Sequence, residues 1–159
     1  MGRKGFGSNW MPPKLWGQVK RYMPIPCVDV IVENSRGMVL LGWRRILPHR
    51  NVWALPGGRI FKGEPLEKAA KRILSGYGVD VGGLCLVGVF PIGFKSRSDV
   101  SICVSGKIAR GNPIPDDKEF TRLQWMNKIP VRTGANYKKM IERWRKMKKQ
   151  PTLKRFNQL

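Results

Sequence analysis

One segment in the middle of the chain restricts the possible folds more than any other. Val52-Trp53-Ala54-Leu55 has the β-branched and aromatic character of a short strand, and it runs directly into Pro56-Gly57-Gly58. An amphipathic helix is predicted next, from Glu64 to about Tyr77, with Pro65 in its first turn. The apolar face of this helix comprises Leu66, Ala69, Ala70, Ile73 and Tyr77. The segment therefore predicts a domain in which this helix packs on a sheet.

Further strands and helices are predicted on both sides of this segment. A β-hairpin is expected from two runs rich in β-branched residues, 27–32 and 38–41, which are joined by a turn at 34–37. The other predicted elements are strands at 84–92, 99–108 and 122–126, a short helix that begins at Pro12-Pro13 and ends before Met23, and a last helix at 135–150. The expected fold class is α/β, a mixed sheet between helices with basic extensions at both termini.

Charge is the strongest signal in the composition. The 159 residues include 31 Lys and Arg against 10 Asp and Glu, a formal net charge of +21. Residues 1–22 and 138–159 together hold 13 of these excess positive charges. A charge of this size is typical of proteins with a polyanionic partner, although a pair of solvated tails is the simpler alternative.

Length, hydropathy and cysteine use exclude several other classes. A chain of 159 residues fits one compact domain, and no apolar stretch approaches the roughly 20 residues that cross a membrane. The basic N-terminus has no apolar segment behind it, so we expect no secretory signal. Cys27, Cys85 and Cys103 are odd in number and far apart among aliphatic residues, which is typical of reduced thiols in a cytoplasmic protein.

The central segment also carries a recognisable motif. Gly58, Glu64 six residues later and Arg72 a further eight residues on resemble the first half of the Nudix box, G-x5-E-x7-R-E-U-x-E-E-x-G-U. Residues 28–37 and Leu40-Leu41-Gly42 are similar to the GDP-mannose mannosyl hydrolase branch of that family. The resemblance covers about residues 25–130 and implies the Nudix fold. We therefore divide the chain into a basic N-terminal arm and short helix (1–22), a Nudix-like domain (23–132) and a basic C-terminal helix and tail (133–159).

The second half of the motif departs from the family. Nudix enzymes cleave nucleoside diphosphate derivatives, and glutamates of the box helix hold Mg²⁺, which neutralises charge developing on the diphosphate. Here the R-E-U-x-E-E positions read Arg72-Ile73-Leu74-Ser75-Gly76-Tyr77, with no acid. We therefore expect no metal, no cofactor and no catalytic residue in a silent protein, and Mg²⁺ with Glu64 and Glu119 as the catalytic residues if the protein is active.

The resemblance also implies roles for individual residues. Glu64 would form a structural ion pair with Arg72, and Glu119 lies in the loop where Nudix enzymes often place a general base. Arg44 and Arg59 match positions that contact the substrate diphosphate, for which guanidinium groups are well suited. Gly57 and Gly58 supply the tight loop of the box in either case. His49, the single histidine, is expected at the surface.

Two functions remain open on these grounds. The charge favours a catalytically silent Nudix fold that binds RNA as a structural component of the ribosome or of another large ribonucleoprotein, beside other ribosomal proteins and away from membranes. The residues expected to contact RNA are Arg3, Lys4, Phe6, Trp10, Lys14, Lys20, Arg21, Lys138, Lys139, Arg143, Arg145, Lys146, Lys148, Lys149, Lys154 and Arg155. Trp16 and Trp144 lie on apolar helix stripes and are expected in the core. The alternative is a hydrolase of a nucleotide sugar or another nucleoside diphosphate derivative.

Overall fold

The computed structural model describes residues 11–150. In chain order the elements are α1 (Pro13–Tyr22), β1 (Ile25–Glu33), β2 (Val39–Arg44), β3 (Val52–Ala54), β4 (Gly57–Arg59), α2 (Leu66–Ser75), β5 (Val79–Gly93), β6 (Ser98–Gly111), β7 (Phe120–Met126) and α3 (Ala135–Lys149). The predicted α/β class and mixed sheet with flanking helices are confirmed. The arm residues Arg3, Lys4, Phe6, Trp10, Lys154 and Arg155 lie outside the described residues.

Strand β1 is the centre of a seven-stranded mixed sheet. It pairs in parallel with β6 along its whole length, from Ile25 opposite Asp99 to Glu33 opposite Lys107. The predicted hairpin between β1 and β2 forms, but its register covers a single pair, Glu33 with Val39. Strand β2 then leaves β1 and pairs with β3 and β7. This divergence opens the sheet between the beginning of β1 and the end of β2.

The glycine segment is a strand and not the tight loop that the sequence predicts. Gly57, Gly58 and Arg59 form β4, which pairs antiparallel with Cys27–Asp29 of β1. A Cβ at Gly57 would overlap the Asp29 carboxylate and lie 2.9 Å from the carbonyl oxygen of Val28. Glycine is therefore required at position 57 because β4 lies so close to β1.

Helix α2 covers one face of the sheet, as the sequence predicts. Its apolar side chains, Ala69, Ala70, Ile73 and Leu74, are buried against β1, β4 and β5. The facing residues of β1 are Val28, Val30 and Val32, which are fully buried. An unbroken β-branched row on one face of β1 therefore explains where α2 packs.

Helix α3 lies beyond residue 132 but packs as part of the same core. Tyr137, Met140, Ile141, Trp144 and Met147 are buried, as the predicted apolar stripe requires. Burial of this stripe against the sheet leaves no apolar face of α3 available to a partner.

Helix α1 differs from α3 because it has no buried residue. Trp16 is only half-buried, so the prediction that it packs in the core is wrong, whereas the prediction for Trp144 is confirmed. Over residues 11–150, none of the helices combines the length and the hydropathy needed to cross a membrane.

Candidate active site

A row of polar side chains interrupts the apolar sheet on the face opposite α2. Cys27 and Asp29 of β1 lie in register with Ser101 and Cys103 of β6, and Asp99 precedes them on the same face. Side chains two residues apart on a strand share a face, so these five groups form one polar floor. The polar floor lies at the beginning of β1, where β2 no longer pairs with β1.

Asp29 is the buried acid at the centre of this floor. The Ser101 hydroxyl donates a hydrogen bond to Asp29 Oδ2. Burial raises the pKa of Asp29 to about 6, against the opposing effects of Ser101 and the positive charge of Arg44. A carboxyl group with this pKa changes protonation near neutral pH, which makes it a candidate for proton transfer or for pH-dependent binding.

The thiols on the floor are not activated. Burial raises the pKa of Cys27 to about 12, with further contributions from the charges of Asp99 and Asp29. Burial likewise raises the pKa of Cys103 well above its ordinary value. Both cysteines are therefore protonated at neutral pH, and neither has the properties of a nucleophile.

Arg44, at the end of β2, lies close enough to the polar floor for its charge to act on Asp29. We refer to the polar floor and the side chains around it as the cleft. Its guanidinium group pairs with the Glu119 carboxylate, and the two side chains are 12% and 23% exposed. The Tyr77 hydroxyl lies 3.4 Å from Glu119 Oε2 and approaches the same carboxylate from the end of α2. The Nε of Arg44 is buried and has no hydrogen-bond partner among the described residues. Arg44 and Glu119, separated by 75 positions in sequence, therefore meet at the cleft.

Arg59 is held in position beside the polar floor by two different contacts. In β4 it lies in register with Cys27, on the face of the polar floor, and its guanidinium carbon lies 4.3 Å from the centre of the Trp16 ring. Its carbonyl oxygen accepts a hydrogen bond of 2.8 Å from Arg72 Nη2. Arg72 also pairs with Glu64, so the predicted Glu64–Arg72 ion pair is confirmed and fixes the backbone that carries Arg59.

His49 and Arg97 complete the cleft, and sequence reasoning did not place either there. The His49 ring packs edge-on against Phe94 and Tyr137, at centroid distances of 5.1 and 5.6 Å. Its Nε2 is buried, so the prediction of a surface residue is wrong. Burial, together with the positive charge of Arg44, lowers the pKa of His49, and the imidazole is therefore neutral at pH 7.

Arg97 reaches the floor from the turn between β5 and β6. Its Nη2 donates to Asp99 Oδ2 at 2.9 Å. Its Nε and the other carboxylate oxygen, Asp99 Oδ1, are both buried with no hydrogen-bond partner among the described residues. With Arg44 Nε and His49 Nε2, four buried polar atoms at this cleft lack a partner within the part of the chain that the structure describes. Buried polar atoms of this kind are expected to meet a ligand or water.

The residues of α2 do not fit a magnesium site. At the box positions where the family has glutamates, Ile73 and Tyr77 are buried, and Tyr77 packs against Phe120 with 5.4 Å between ring centres. Glu64 has no exposed side-chain surface, and both of its oxygens are held by Arg72 and the Phe61 N–H group. Across residues 11–150 no three His, Cys, Asp or Glu side chains are grouped so that they could hold a metal ion.

The basic side chains of α3 have roles inside the fold that charge counting did not anticipate. Several of them donate to main-chain or carboxylate oxygens of the domain: Lys138 to Val131, Arg143 to Val87, Arg145 to Asn127 and Lys148 to the Glu33 carboxylate. In this part of the chain, cations that the sequence assigned to RNA hold α3 against the sheet.

Comparison with known proteins identifies the family. The NUDIX domain profile matches residues 23–144, from the beginning of β1 into α3. The chain belongs to the Nudix family. It is 36% identical over 91 residues to the low-salt glycan biosynthesis protein Agl8 of Haloferax volcanii, a match that spans 57% of each chain. It is 32% identical over 115 residues, 70% of its length, to a Bacillus subtilis protein assigned as an 8-oxo-dGTP diphosphatase, of which it covers 74%.

Solved structures share the fold at lower sequence identity. The NUDIX domain of NrtR from Shewanella oneidensis, solved with ADP ribose, superposes with a TM-score of 0.66 at 19% identity. The match covers 92% of this Nudix chain and 99% of NrtR's domain. At this identity the likeness establishes the fold alone.

These findings overturn the main prediction from charge. The prediction of a ribosomal, RNA-binding protein with RNA and ribosomal proteins as partners is wrong, because the Nudix profile and the match to a protein assigned as a diphosphatase point to hydrolases of small molecules. Family members usually use Mg²⁺ or a similar divalent ion. The net charge of +21 led to this wrong prediction, because net charge gives the sign of the surface potential and does not identify the ligand.

The sequence predicts one part of this site. Arg44, Arg59, Glu64 and Glu119 were expected, and the fold brings Arg44 and Glu119 together while Glu64 supports Arg59. Asp29, Asp99, Ser101 and Arg97 were not expected. A signal was available, because Asp29, Asp99 and Ser101 are polar residues on alternate positions of otherwise apolar strands, a pattern that a buried strand tolerates only for a polar partner or a ligand.

Proposed function

We propose that the protein is a Nudix hydrolase of a nucleoside diphosphate derivative, with nucleotide sugars as the first candidates. The observation that carries the proposal is the cleft on the polar face, where the Arg44 and Arg59 side chains come from two different strands and lie beside a buried acid of raised pKa. Guanidinium groups bind phosphate oxygens in a planar, two-pronged geometry. The match to a protein assigned as a diphosphatase supports the same ligand class.

Each residue of the cleft has a proposed part in binding. Arg44 and Arg59 bind the diphosphate oxygens, and Gly57 and Gly58 allow the backbone of β4 to lie close to β1 at this point. Trp16 holds the guanidinium plane of Arg59 through a cation–π contact at 4.3 Å. Glu64 is a positioning residue, because its carboxylate is fully used by Arg72 and Phe61.

Glu119 is the proposed general base. Its side chain is 23% exposed, whereas that of Glu64 has no exposed surface, so water can reach Glu119. In the hydrolytic step a water molecule attacks the diphosphate derivative, Glu119 accepts a proton from that water, and the leaving group departs with the electron pair of the broken bond. Arg44 stabilises the ionised form of Glu119 and lies beside the charge that develops on the phosphate.

The first test is a hydrolysis assay with a panel of nucleoside diphosphate sugars and nucleoside triphosphates, with and without MgCl₂. Products are followed by ³¹P NMR in H₂¹⁸O, so that the position of ¹⁸O shows whether water attacks phosphorus or the sugar carbon. We expect turnover of at least one nucleoside diphosphate sugar. Hydrolysis of none of the panel under either condition would contradict the proposal.

Variants then assign the roles. Glu119→Gln is expected to lower kcat by about 10²-fold or more while substrate binding persists. Arg44→Gln and Arg59→Gln are expected to raise KM, since each removes a charge-assisted contact to phosphate. Arg36→Gln is the matched control, because Arg36 is an exposed arginine in the turn after β1, at the opposite end of that strand from the cleft.

A further inference from the structure

Two of the three glutamate positions in the second half of the Nudix box are occupied by core residues in this chain, Ile73 and Tyr77. Tyr77 is 5% exposed and contacts Phe120, whose ring fills the space that Gly42 leaves by having no side chain. Ile73 lies under Gly58, where an added Cβ would be 3.3 Å from Ile73 Cδ1. Two of the three former glutamate positions, Ile73 and Tyr77, are therefore part of the packed interior, and an acid restored at either would bury a charge, whereas Gly76 at the third position is exposed.

The acids that remain near the cleft are already neutralised by other groups. Glu64 pairs with Arg72, Glu119 with Arg44, and Asp99 with Arg97. Asp29 is buried with a hydrogen bond from Ser101. A divalent cation needs several free oxygen ligands, and most of these carboxylate oxygens face arginine or hydroxyl donors, although Asp99 Oδ1 has no partner among the described residues.

The positive groups, in contrast, retain unused donors. Arg44 Nε and Arg97 Nε are buried and have no acceptor among the described residues. Arg59 lies on the same face, and its pKa is lowered by burial and by the positive charge of Arg97. Three guanidinium groups from β2, β4 and the turn before β6 thus surround one polar floor, and two of them have a buried N–H group that an anionic ligand would satisfy.

We propose that this cleft binds the diphosphate group of its ligand without a divalent cation, with Arg44, Arg59 and Arg97 supplying the positive charge. The inference rests on the proposed function, since it concerns the same cleft and the same ligand class. It adds Arg97 as an anion-binding residue. It also gives the loss of the box glutamates a physical explanation, because guanidinium groups provide the neutralisation that the metal provides elsewhere in the family.

Calorimetry with the full-length protein tests this directly. The probes are the methylene-bridged, non-hydrolysable analogues of ADP and GDP, titrated once in MgCl₂ and once in excess EDTA. We expect Kd in EDTA to lie within about threefold of Kd in magnesium for the analogue that binds. Weakening by more than about tenfold in EDTA would overturn cation-independent binding while leaving the proposed function intact. Absence of binding in both buffers would overturn the proposed function and this inference with it.

A matched pair of variants tests the role of Arg97. Arg97→Gln is expected to weaken binding about tenfold in both buffers, because it removes one charge-assisted contact. Arg110→Gln is the control, since Arg110 also pairs with an aspartate, Asp80, but is 83% exposed on the far end of β6. Equal affinities for these two variants, with both folded by circular dichroism, would remove Arg97 from the site.

Discussion

Arg72 holds both carboxylate oxygens of Glu64, with Nε 2.6 Å from Oε1 and Nη2 2.9 Å from Oε2. The same Nη2 donates to the carbonyl oxygen of Arg59 at 2.8 Å. The Phe61 N–H group donates to Glu64 Oε2 at 3.0 Å. One ion pair therefore joins helix α2, the loop after β4 and the backbone of a proposed ligand-binding arginine.

Replacement of Glu64 by Gln is expected to destabilise the fold by about 3 kcal/mol, because it leaves the Arg72 guanidinium without its buried counter-charge. The hydrogen bond from Arg72 lowers the pKa of Glu64. The ion pair therefore stabilises the fold above the ordinary pKa of about 4.5, and this contribution is lost as the pH falls through the lowered value. Urea unfolding between pH 3 and pH 7, roughly the span over which carboxylates titrate, measures both effects.

Glu67→Gln is the control for this experiment. Glu67 pairs with Lys71 one turn along the same helix, but the two side chains are 55% and 46% exposed. Its loss is expected to change the free energy of unfolding by less than about 0.5 kcal/mol. Equal destabilisation by the two substitutions would show that burial of the Glu64 pair has no special effect.

The Asp29→Asn substitution is expected to remove a pH dependence of stability whose sign is opposite to that of the Glu64 contribution. Burial raises the pKa of Asp29 from 3.8 to about 6, so the folded state favours the protonated acid. Stability from this group is present below pH 3.8 and is lost as the pH rises through about 6. Thermal unfolding of the Asn variant should show less loss of stability between these pH values. An unchanged pH profile in Asp29→Asn would mean that Asp29 titrates normally.

Ligand binding should share this pH dependence. A diphosphate placed beside Asp29 repels its carboxylate and raises its pKa above the value of about 6 in the free protein, so binding is expected to be accompanied by proton uptake and to strengthen as the pH falls toward about 6. Calorimetry in two buffers of different ionisation enthalpy measures the proton uptake. Asp29→Asn should bind with no such uptake, and uptake that persists in this variant would assign it to another group.

Gly57→Ala is expected to cost about 1–3 kcal/mol of stability, because a Cβ at position 57 would overlap the Asp29 carboxylate and press on β1. The matched substitution is Gly82→Ala in β5, where a Cβ would have no heavy atom within 4 Å. Chemical unfolding of both variants gives the comparison. A Gly57 variant as stable as the Gly82 variant would show that β4 can move away from β1 freely.

Substitution of the two tryptophans on helix stripes, Trp16 and Trp144, should change the free energy of unfolding by different amounts. Trp144→Ala is expected to destabilise the protein by about 3–5 kcal/mol, since Trp144 is buried in the core between α3 and the sheet. Trp16→Ala is expected to cost less than about 1 kcal/mol, because α1 has no buried residue. Urea unfolding followed by circular dichroism measures both, and a large loss in Trp16→Ala would place α1 in the cooperative core.

Local patterns were sufficient for much of the fold. The spacing of Ala69, Ala70 and Ile73 predicts helix α2, and the apolar stripe of α3 predicts the burial of Trp144. Both follow from the period of the helix, which places residues three and four apart on one face. The Glu64–Arg72 pair was also predictable, through the resemblance of this segment to the Nudix box.

The candidate site depended on contacts between distant segments. Arg44 meets Glu119 across 75 residues, and Ser101 reaches Asp29 across 72 because β6 lies parallel to β1. Strand pairing of this kind is set by the register of the whole sheet and leaves little trace in the local sequence. The total charge led to the wrong prediction of an RNA partner. A sum over the chain carries no information about which cations are paired inside the fold.

Periodicity and a contiguous motif were enough to predict the helices, most of the strands and the family. Only the folded sheet shows that Gly57–Arg59 is a strand, that Arg97 and His49 enter the cleft, and that Tyr77 fills a position where the family has an acid. The physical reason is that burial and electrostatic pairing are properties of residues brought together from different strands, and they arise only when the sheet has formed.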